Sequence, residues 1–381
     1  MDRRDFMNTG LGVAGLALAS KVPALARDVA GKPEIRWGLI GIGNRCEQHI
    51  RVLNVLPGSR IVALCDIKPE AIRKGVGMAT TKPEGTYADH QEMLKRPDLD
   101  AVLVCTPNHL HREMVVAALA SGRHVLTEKP MGITVEECND IIQAGEKSGK
   151  VLQVGLELRY SPYYQRVRKL LQEEKVLGAV KFVWFSEFRG DWVHQSPDPA
   201  EDARINWRYY QKLSGGTLLE KSCHYFDLFN WFIGTRAERV CGMGGINVYA
   251  NGRETLDHAS VIVEYAGGAK ATHGLAMYSP KAHDFIVIGE KGQLDMNYDD
   301  GEIVLRREGA APEVIRAEAN EKGTGGHSGT MEMHQDFQAC VREGRKPLCD
   351  AVVGKESIRV GLAGEIAIRE RRWVEMKEIP A

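Results

Sequence analysis

The 381-residue chain has no Cys-x-x-Cys pair, no dense cysteine framework, no apolar run long enough to span a bilayer, and almost no net charge. Its eight scattered cysteines exclude a small scaffold stapled by disulfides. Cys65 and Cys105 end apolar segments and are expected to be small core residues, while the sequence leaves open whether any two cysteines pair. No spacing of His, Cys and carboxylate residues matches a metal site, so no metal is expected. A formal charge of -1 provides no basic stripe to attract nucleic acid or an anionic membrane surface. Heptad runs, internal repeats and low-complexity tracts are missing too. What remains is the profile of a globular chain, 43% hydrophobic and 27% charged, and long enough for two domains.

The first 26 residues read as a leader rather than as part of the fold. Arg3-Arg4-Asp5-Phe6-Met7 precedes the apolar run Gly10 to Ala19, and Ala24-Leu25-Ala26 suits a small-residue cleavage site. Paired arginines before Phe6 predict a twin-arginine export signal and a periplasmic protein exported already folded. A cytoplasmic protein with a chance apolar leader is the alternative.

The stretch Ile35–Asp66 carries the most information. An apolar strand runs into Gly41-Ile42-Gly43-Asn44-Arg45-Cys46, a helical pattern follows, and a second apolar strand ends on Asp66. This is the order of a dinucleotide-binding βαβ unit. The first glycine permits the tight turn, the second lets the backbone approach a pyrophosphate, and the helix N-terminus offers N–H groups and a positive dipole end to that anion. Asp66 stands where an acid can accept hydrogen bonds from the adenosine ribose, which predicts NAD in preference to NADP. Cys46 occupies a position where Gly or Ala is usual; it is small enough for close helix–strand packing.

The alternation of strands and helices continues to Val154 and predicts a parallel, doubly wound sheet over residues 34–154. Ligands bind such sheets at the carboxyl ends of their strands, so the loops Thr106–His111 and Glu128–Met131 should face the cofactor. From residue 155 the pattern changes to helices and consecutive short strands between Arg239 and Leu305, which read as an antiparallel meander. The fold class expected is α/β plus α+β, with a Rossmann domain followed by a large, mostly antiparallel open sheet flanked by helices. Residues 155–381 would bind substrate and, through the free face of that sheet, form a homodimer or homotetramer. The last helices, Thr330–Glu343 and Ala351–Arg369, would close this domain or pack back on the first.

Seven ordered segments resemble the glucose-fructose oxidoreductase / inositol dehydrogenase (Gfo/Idh/MocA) superfamily: GIGNRC, ALCD, CTPNHLH, GRHVLTEKP, VGLELRYSP, INWR and GGTLLEKSCHYFDLFNW. The resemblance spans the whole chain after the leader. Glu128-Lys129-Pro130 is its most specific element. It implies a Rossmann domain holding NAD and oxidation of a secondary hydroxyl on a sugar, glycoside or cyclitol.

The residues support such chemistry independently. Oxidising an alcohol needs a hydride acceptor, a base for the hydroxyl proton and positive charge where an alkoxide develops. Lys129, at the carboxyl end of a parallel strand, suits the proton-transfer or alkoxide-stabilising role, with a pKa expected to be lowered by burial and the cationic nicotinamide. The cluster Glu220 to Asp227 matches a family segment, Asp-x-Gly-x-His, in which the acid and the histidine line the substrate pocket; here Glu220 and Ser222 replace Asp and Gly. Glu220 and His224, four apart, would share a helix face and act as an oriented acid–imidazole pair.

The expected catalytic set is therefore Lys129, His224 and Glu220. Cofactor contacts are expected from Gly41, Gly43, Asn44, Arg45, Asp66, Thr106, Asn108, His111, Glu128, Lys129, Trp207 and Arg208, although Asn108 could instead cap a helix. Lys129, His224, Arg159 and Tyr160 would border the substrate, and His194, Asp257 and His327 are further polar candidates. Four of the six tryptophans lie between residues 160 and 231 and could stack on a sugar face, or belong to a core or subunit interface. Two other functions share these features: a glycosidase that retains NAD and works by transient oxidation and elimination, and a catalytically silent sugar-binding or sensory protein.

Overall fold

The computed structural model describes residues 33–193, 195–297, 301–317 and 329–381. The leader reading of residues 1–26, and His194 and His327, lie outside the described residues.

Six parallel strands form the first sheet: β1 (Ile35–Ile40), β2 (Ser59–Cys65), β3 (Gly85–Tyr87), β4 (Ala101–Val104), β5 (His124–Glu128) and β6 (Leu152–Gly155). Their order is β3-β2-β1-β4-β5-β6. Helices cover both faces, which is why β4 is buried along its whole length and why these strands read as continuous apolar runs. The chain steps to one side of β1 for β2 and β3, then crosses to the other for β4 to β6. The switch point thus lies between the carboxyl ends of β1 and β4, where such sheets open a crevice for ligands.

The second sheet has the order β14-β13-β12-β11-β7-β10-β9-β8-β15. Its members are β7 (Val180–Phe188), β8 (Ala237–Gly245), β9 (His258–Tyr265), β10 (Lys270–Ala276), β11 (Ala282–Gly289), β12 (Gly292–Asn297), β13 (Glu302–Arg306), β14 (Glu313–Arg316) and β15 (Val374–Glu375). The meander expected from the sequence is interrupted. β7 enters between β10 and β11, parallel to the first and antiparallel to the second. β14 and β15 were not legible either, being short and flanked by charge.

Alternation along these strands separates two faces. Val183, Phe185, Val261, Val263, Phe285 and Val287 point inward against the helices Pro162–Gln172, Cys223–Ile233 and Ala351–Glu370. Burying each such side chain contributes about 1.5–3 kcal/mol. The opposite face carries a row in register: Val304, Asp295, Ile286, Trp184, Thr272, Ile262 and Cys241. No helix covers it among the described residues, and Trp184 is 42% and Ile262 39% exposed.

The last helices return to the first sheet. Phe337 of the helix Thr330–Glu343 packs 4.9 Å from the Trp37 ring, and Gln153 donates to the Met333 carbonyl at 3.0 Å. Met333, Phe337 and Ile358 belong to the same core as β1 and β4. All eight cysteines are free; Cys65 is buried in this core and Cys105 packs against it.

Candidate active site

The site begins at the turn after β1. Gly41 has φ +83°, and a Cβ there would come within 2.8 Å of the Cys105 backbone, so only glycine fits. At Gly43, which caps the helix Asn44–Val55, a Cβ would meet nothing within 4 Å, leaving open space in front of the helix N-terminus. Asp66 accepts from the Ile42 N–H at 2.7 Å and the Lys68 N–H at 2.8 Å, one on each carboxylate oxygen, and each oxygen keeps a further lone pair. The Thr106 hydroxyl is buried with no hydrogen-bond partner among the described residues. A helix N-terminus facing open space, an acid with spare acceptor capacity and an orphaned hydroxyl together fit a dinucleotide.

Arg45 and Asn44 open the same helix, but Arg45 turns inward. Its Nε donates to Glu128 at 2.7 Å, its Nη1 to Gln48 at 2.8 Å, and its Nη2 lies 3.6 Å from Glu157. Burial works against the guanidinium charge, yet Glu128 and Glu157 outweigh it and raise the Arg45 pKa. Burial likewise disfavours the Glu128 carboxylate, but Arg45 and the His49 imidazole, 2.9 Å away, hold it below the usual carboxylate range. Glu128 also accepts from the Lys129 N–H at 3.1 Å. The Arg45 guanidinium is thus committed to an internal ion pair.

Lys129 leaves the carboxyl end of β5 and donates from Nζ to the Glu220 carbonyl at 2.5 Å, with the Glu220 carboxylate 3.9 Å off. The lowered pKa expected for this lysine is corrected: burial lowers it, but Glu220, Cys223, Glu128 and Glu157 outweigh burial and leave it raised. Glu220 accepts from Arg208 Nε at 2.9 Å, and the Arg208 guanidinium stacks 4.2 Å over the Trp207 ring. Burial pushes the Glu220 carboxyl up, and Lys129 and Arg208 reverse this, so its pKa is lowered.

The shared helix face expected for Glu220 and His224 does not form. A short helix ends at Glu220, Lys221 and Ser222 break the chain, and a new helix starts at Cys223. His224 instead faces Glu157, with Nε2 3.7 Å from its carboxylate, while Nδ1 is buried with no partner among the described residues. Burial depresses the His224 pKa to about 4, opposed by Glu157 and reinforced by Lys129 and Lys221.

Several expected contacts are committed elsewhere. Asn108 caps nothing; its amide donates to the Ser214 carbonyl at 2.8 Å and ties the two sheets' units together. Both ring nitrogens of buried His111 face carbonyls, those of Pro130 at 2.8 Å and Thr106 at 3.0 Å, so it bolts two loops together. Burial lowers its pKa, and the neutral ring donates to one of the two. Arg159 makes a bidentate pair with Asp227 at 2.7 Å, and Tyr160 donates to Asp336 and accepts from the Cys349 N–H, both at 3.0 Å. Neither offers its polar group to the Lys129 cluster. Asp257 accepts from the backbone of Asn247, Val248 and Tyr249 and organises a turn.

Two residues went unread in the sequence. Glu157, 2% exposed, projects from the turn after β6 between Arg45 and His224. Its signal was an acid inside the apolar run Val151 to Leu158 at a parallel strand's carboxyl end. His49 bridges Glu128 and His334, with 2.7 Å between the two rings' nitrogens.

Residues 35–156 match the model of an oxidoreductase family's NAD-binding Rossmann fold, and residues 168–376 match that family's C-terminal alpha/beta domain, both designated Gfo/Idh/MocA. The chain is 24% identical over 353 residues to scyllo-inositol 2-dehydrogenase (NAD(+)) of Bacillus subtilis, covering 90% of this chain and 96% of that protein. A glycosyl hydrolase family 109 protein of Shewanella pealeana is 32% identical over 174 residues, covering 39% of this chain and 38% of that one. Among solved structures, an oxidoreductase domain protein from Kribbella flavida superposes with a TM-score of 0.79 at 26% identity, covering 92% of this chain and all of the other.

Proposed function

The chain belongs to the Gfo/Idh/MocA oxidoreductase family, and from that premise we propose that it oxidises a secondary ring hydroxyl of a sugar, glycoside or cyclitol with NAD. The observation that carries this reading is the meeting of Lys129 and Glu220 at the carboxyl end of β5, with His224 near enough to feel the Lys129 charge, beside a crevice that fits a dinucleotide. NAD, when bound, supplies the hydride acceptor.

The alcohol loses a hydride and a proton and leaves as a ketone. The Lys129 ammonium, held charged by its acidic neighbours, stabilises the alkoxide as the O–H bond breaks. His224 is neutral near pH 7, and its imidazole takes the hydroxyl proton. Arg208 and Glu220 brace Lys129 from the second unit. Gly41, Gly43, Asn44, Asp66 and Thr106 hold the dinucleotide, and Glu128 fixes the turn that presents Lys129.

Two copies pack back to back through the face of the second sheet that exposes Trp184 and Ile262, giving a homodimer or homotetramer. Arg3 and Arg4 direct twin-arginine export to the periplasm; among the described residues no helix is long and apolar enough to cross a membrane.

A second reading, favoured by the likeness to a glycosyl hydrolase family 109 protein, is transient oxidation followed by elimination of an aglycone. Incubating the purified protein with NAD and a panel of cyclitols, sugars and chromogenic glycosides separates the two. Accumulation of NADH supports the dehydrogenase, release of aglycone without net NADH supports the second reading, and neither would leave a silent binding protein.

A further inference from the structure

We propose that Glu157 is the positioning residue for His224, the carboxylate that orients the imidazole and stabilises its protonated form when it takes the substrate proton. The inference rests on the reading of His224 as proton acceptor and extends it to a residue from a different element. Glu157 opens the turn Glu157–Tyr160 directly after β6, so it sits at the same ligand-facing end of the first sheet as Glu128 and Lys129. It is 2% exposed, with one carboxylate oxygen 3.7 Å from His224 Nε2 and 3.6 Å from Arg45 Nη2.

Glu220 cannot fill this role from where it stands. The break at Lys221 and Ser222 rotates it off the His224 face, and its carboxylate is engaged by Arg208 and Lys129. The charges facing His224 are Glu157 and Glu128 on one side and Lys129 and Lys221 on the other. Both lysines oppose an imidazolium, and so does burial. Glu128 is already paired with Arg45 and His49. Glu157, which shares Arg45 with Glu128, is the carboxylate nearest the ring and has the largest favourable effect on its positive charge. At 3.7 Å the pair is looser than a hydrogen bond, a spacing that catalytic pairs commonly show before substrate tightens them.

The test uses the full-length folded protein with Glu157→Gln, Glu157→Asp and Glu220→Gln. Protonation of His224 is followed by NMR of nitrogen-labelled histidine without substrate, so this arm stands even if the substrate class is wrong. An opposite charge at this range typically shifts a pKa by about 1–3 units. Glu157→Gln should therefore move His224 protonation at least about one pH unit lower, Glu157→Asp should restore part of it, and Glu220→Gln should move it less. With a turned-over substrate, kcat in Glu157→Gln should fall about 10- to 100-fold, its acid limb should shift the same way, and NAD affinity should stay within about threefold. An unchanged His224 titration in Glu157→Gln, or a larger shift in Glu220→Gln, would overturn the proposal.

Discussion

The Lys129 ammonium donates to the main-chain carbonyl of Glu220 at 2.5 Å, joining the carboxyl end of a parallel strand in the first sheet to a helix end in the second unit. Neither side chain's charge state can be understood alone. Lys129 is buried, which disfavours its ammonium, but Glu220, Glu128 and Glu157 surround it and win.

Replacing Lys129 by Met keeps length and apolar bulk and removes that charge. Turnover should fall by about 10²–10⁴, the usual cost of losing a proton-transfer or charge-stabilising group. NAD affinity, measured by calorimetry, should change little, because the dinucleotide-facing turn at Gly41 and Gly43 is untouched. A raised lysine pKa also fixes a sign. The ammonium persists through alkaline pH, so kcat/KM should show no break from Lys129 below about pH 9. Near-normal turnover in Lys129→Met would sink the role proposed for it.

Asp66 should set the cofactor preference. Its two oxygens each hold one backbone N–H and retain capacity for a ribose diol, whereas a 2′-phosphate would bring like charge to the same place. Titration with each cofactor should give NAD at least about tenfold tighter than NADP, a difference of about 1.4 kcal/mol. Lys68 beside the loop limits the margin. Tighter binding of NADP would defeat the assignment.

The parallel sheet was legible because each βα unit is local: strand, turn and helix follow one another within about 30 residues, and burial on both faces writes continuous apolar runs such as Ala101–Val104. The place of β7 was not legible. Its partners, β10 and β11, lie some 90–100 residues downstream, as Phe185 opposite His273 and Phe285 illustrates, and no local pattern records that pairing. Motifs carried the expectations at Lys129 and His224, and tertiary structure changed the neighbours expected around them. Spacing alone put Glu220 and His224 on one helix, but the chain breaks between them. Glu157 went unread because its partners, Arg45 and His224, arrive from positions 45 and 224.

Export should depend on the paired arginines. Changing Arg3 and Arg4 to Lys preserves charge but not the guanidinium pair, so the protein should remain folded, bind NAD and stay in the cytoplasm of the producing cell. Fractionation with immunoblotting checks this, and normal periplasmic levels of the double variant would refute the twin-arginine reading.

The exposed row of the second sheet predicts an association that a single charge breaks. Trp184 lies at its centre, opposite Thr272 on β10 and Ile286 on β11. Trp184→Lys should leave the inner core intact and reduce the mass measured by light scattering to that of a monomer. A monomeric parent protein, or an unchanged mass in the variant, would rule this face out as the interface.

Glu365 gives a stability signature independent of catalysis. It lies in the helix Ala351–Glu370, where burial pushes its carboxyl up to about 7; the Leu218 N–H at 3.1 Å and Arg369 only partly oppose this. A carboxyl whose folded pKa exceeds its unfolded value keeps its proton in the native state while the unfolded chain releases one. Stability therefore falls as pH rises from about 4.5 through 7, and the full cost, on the order of 1–3 kcal/mol, applies above that. Glu365→Gln retains an acceptor for Leu218 but cannot ionise. Chemical denaturation should find it more stable than the parent at pH 8 and nearly equal at pH 5. Equal stability at both pH values would show that Glu365 ionises in the folded protein much as it does in the unfolded chain.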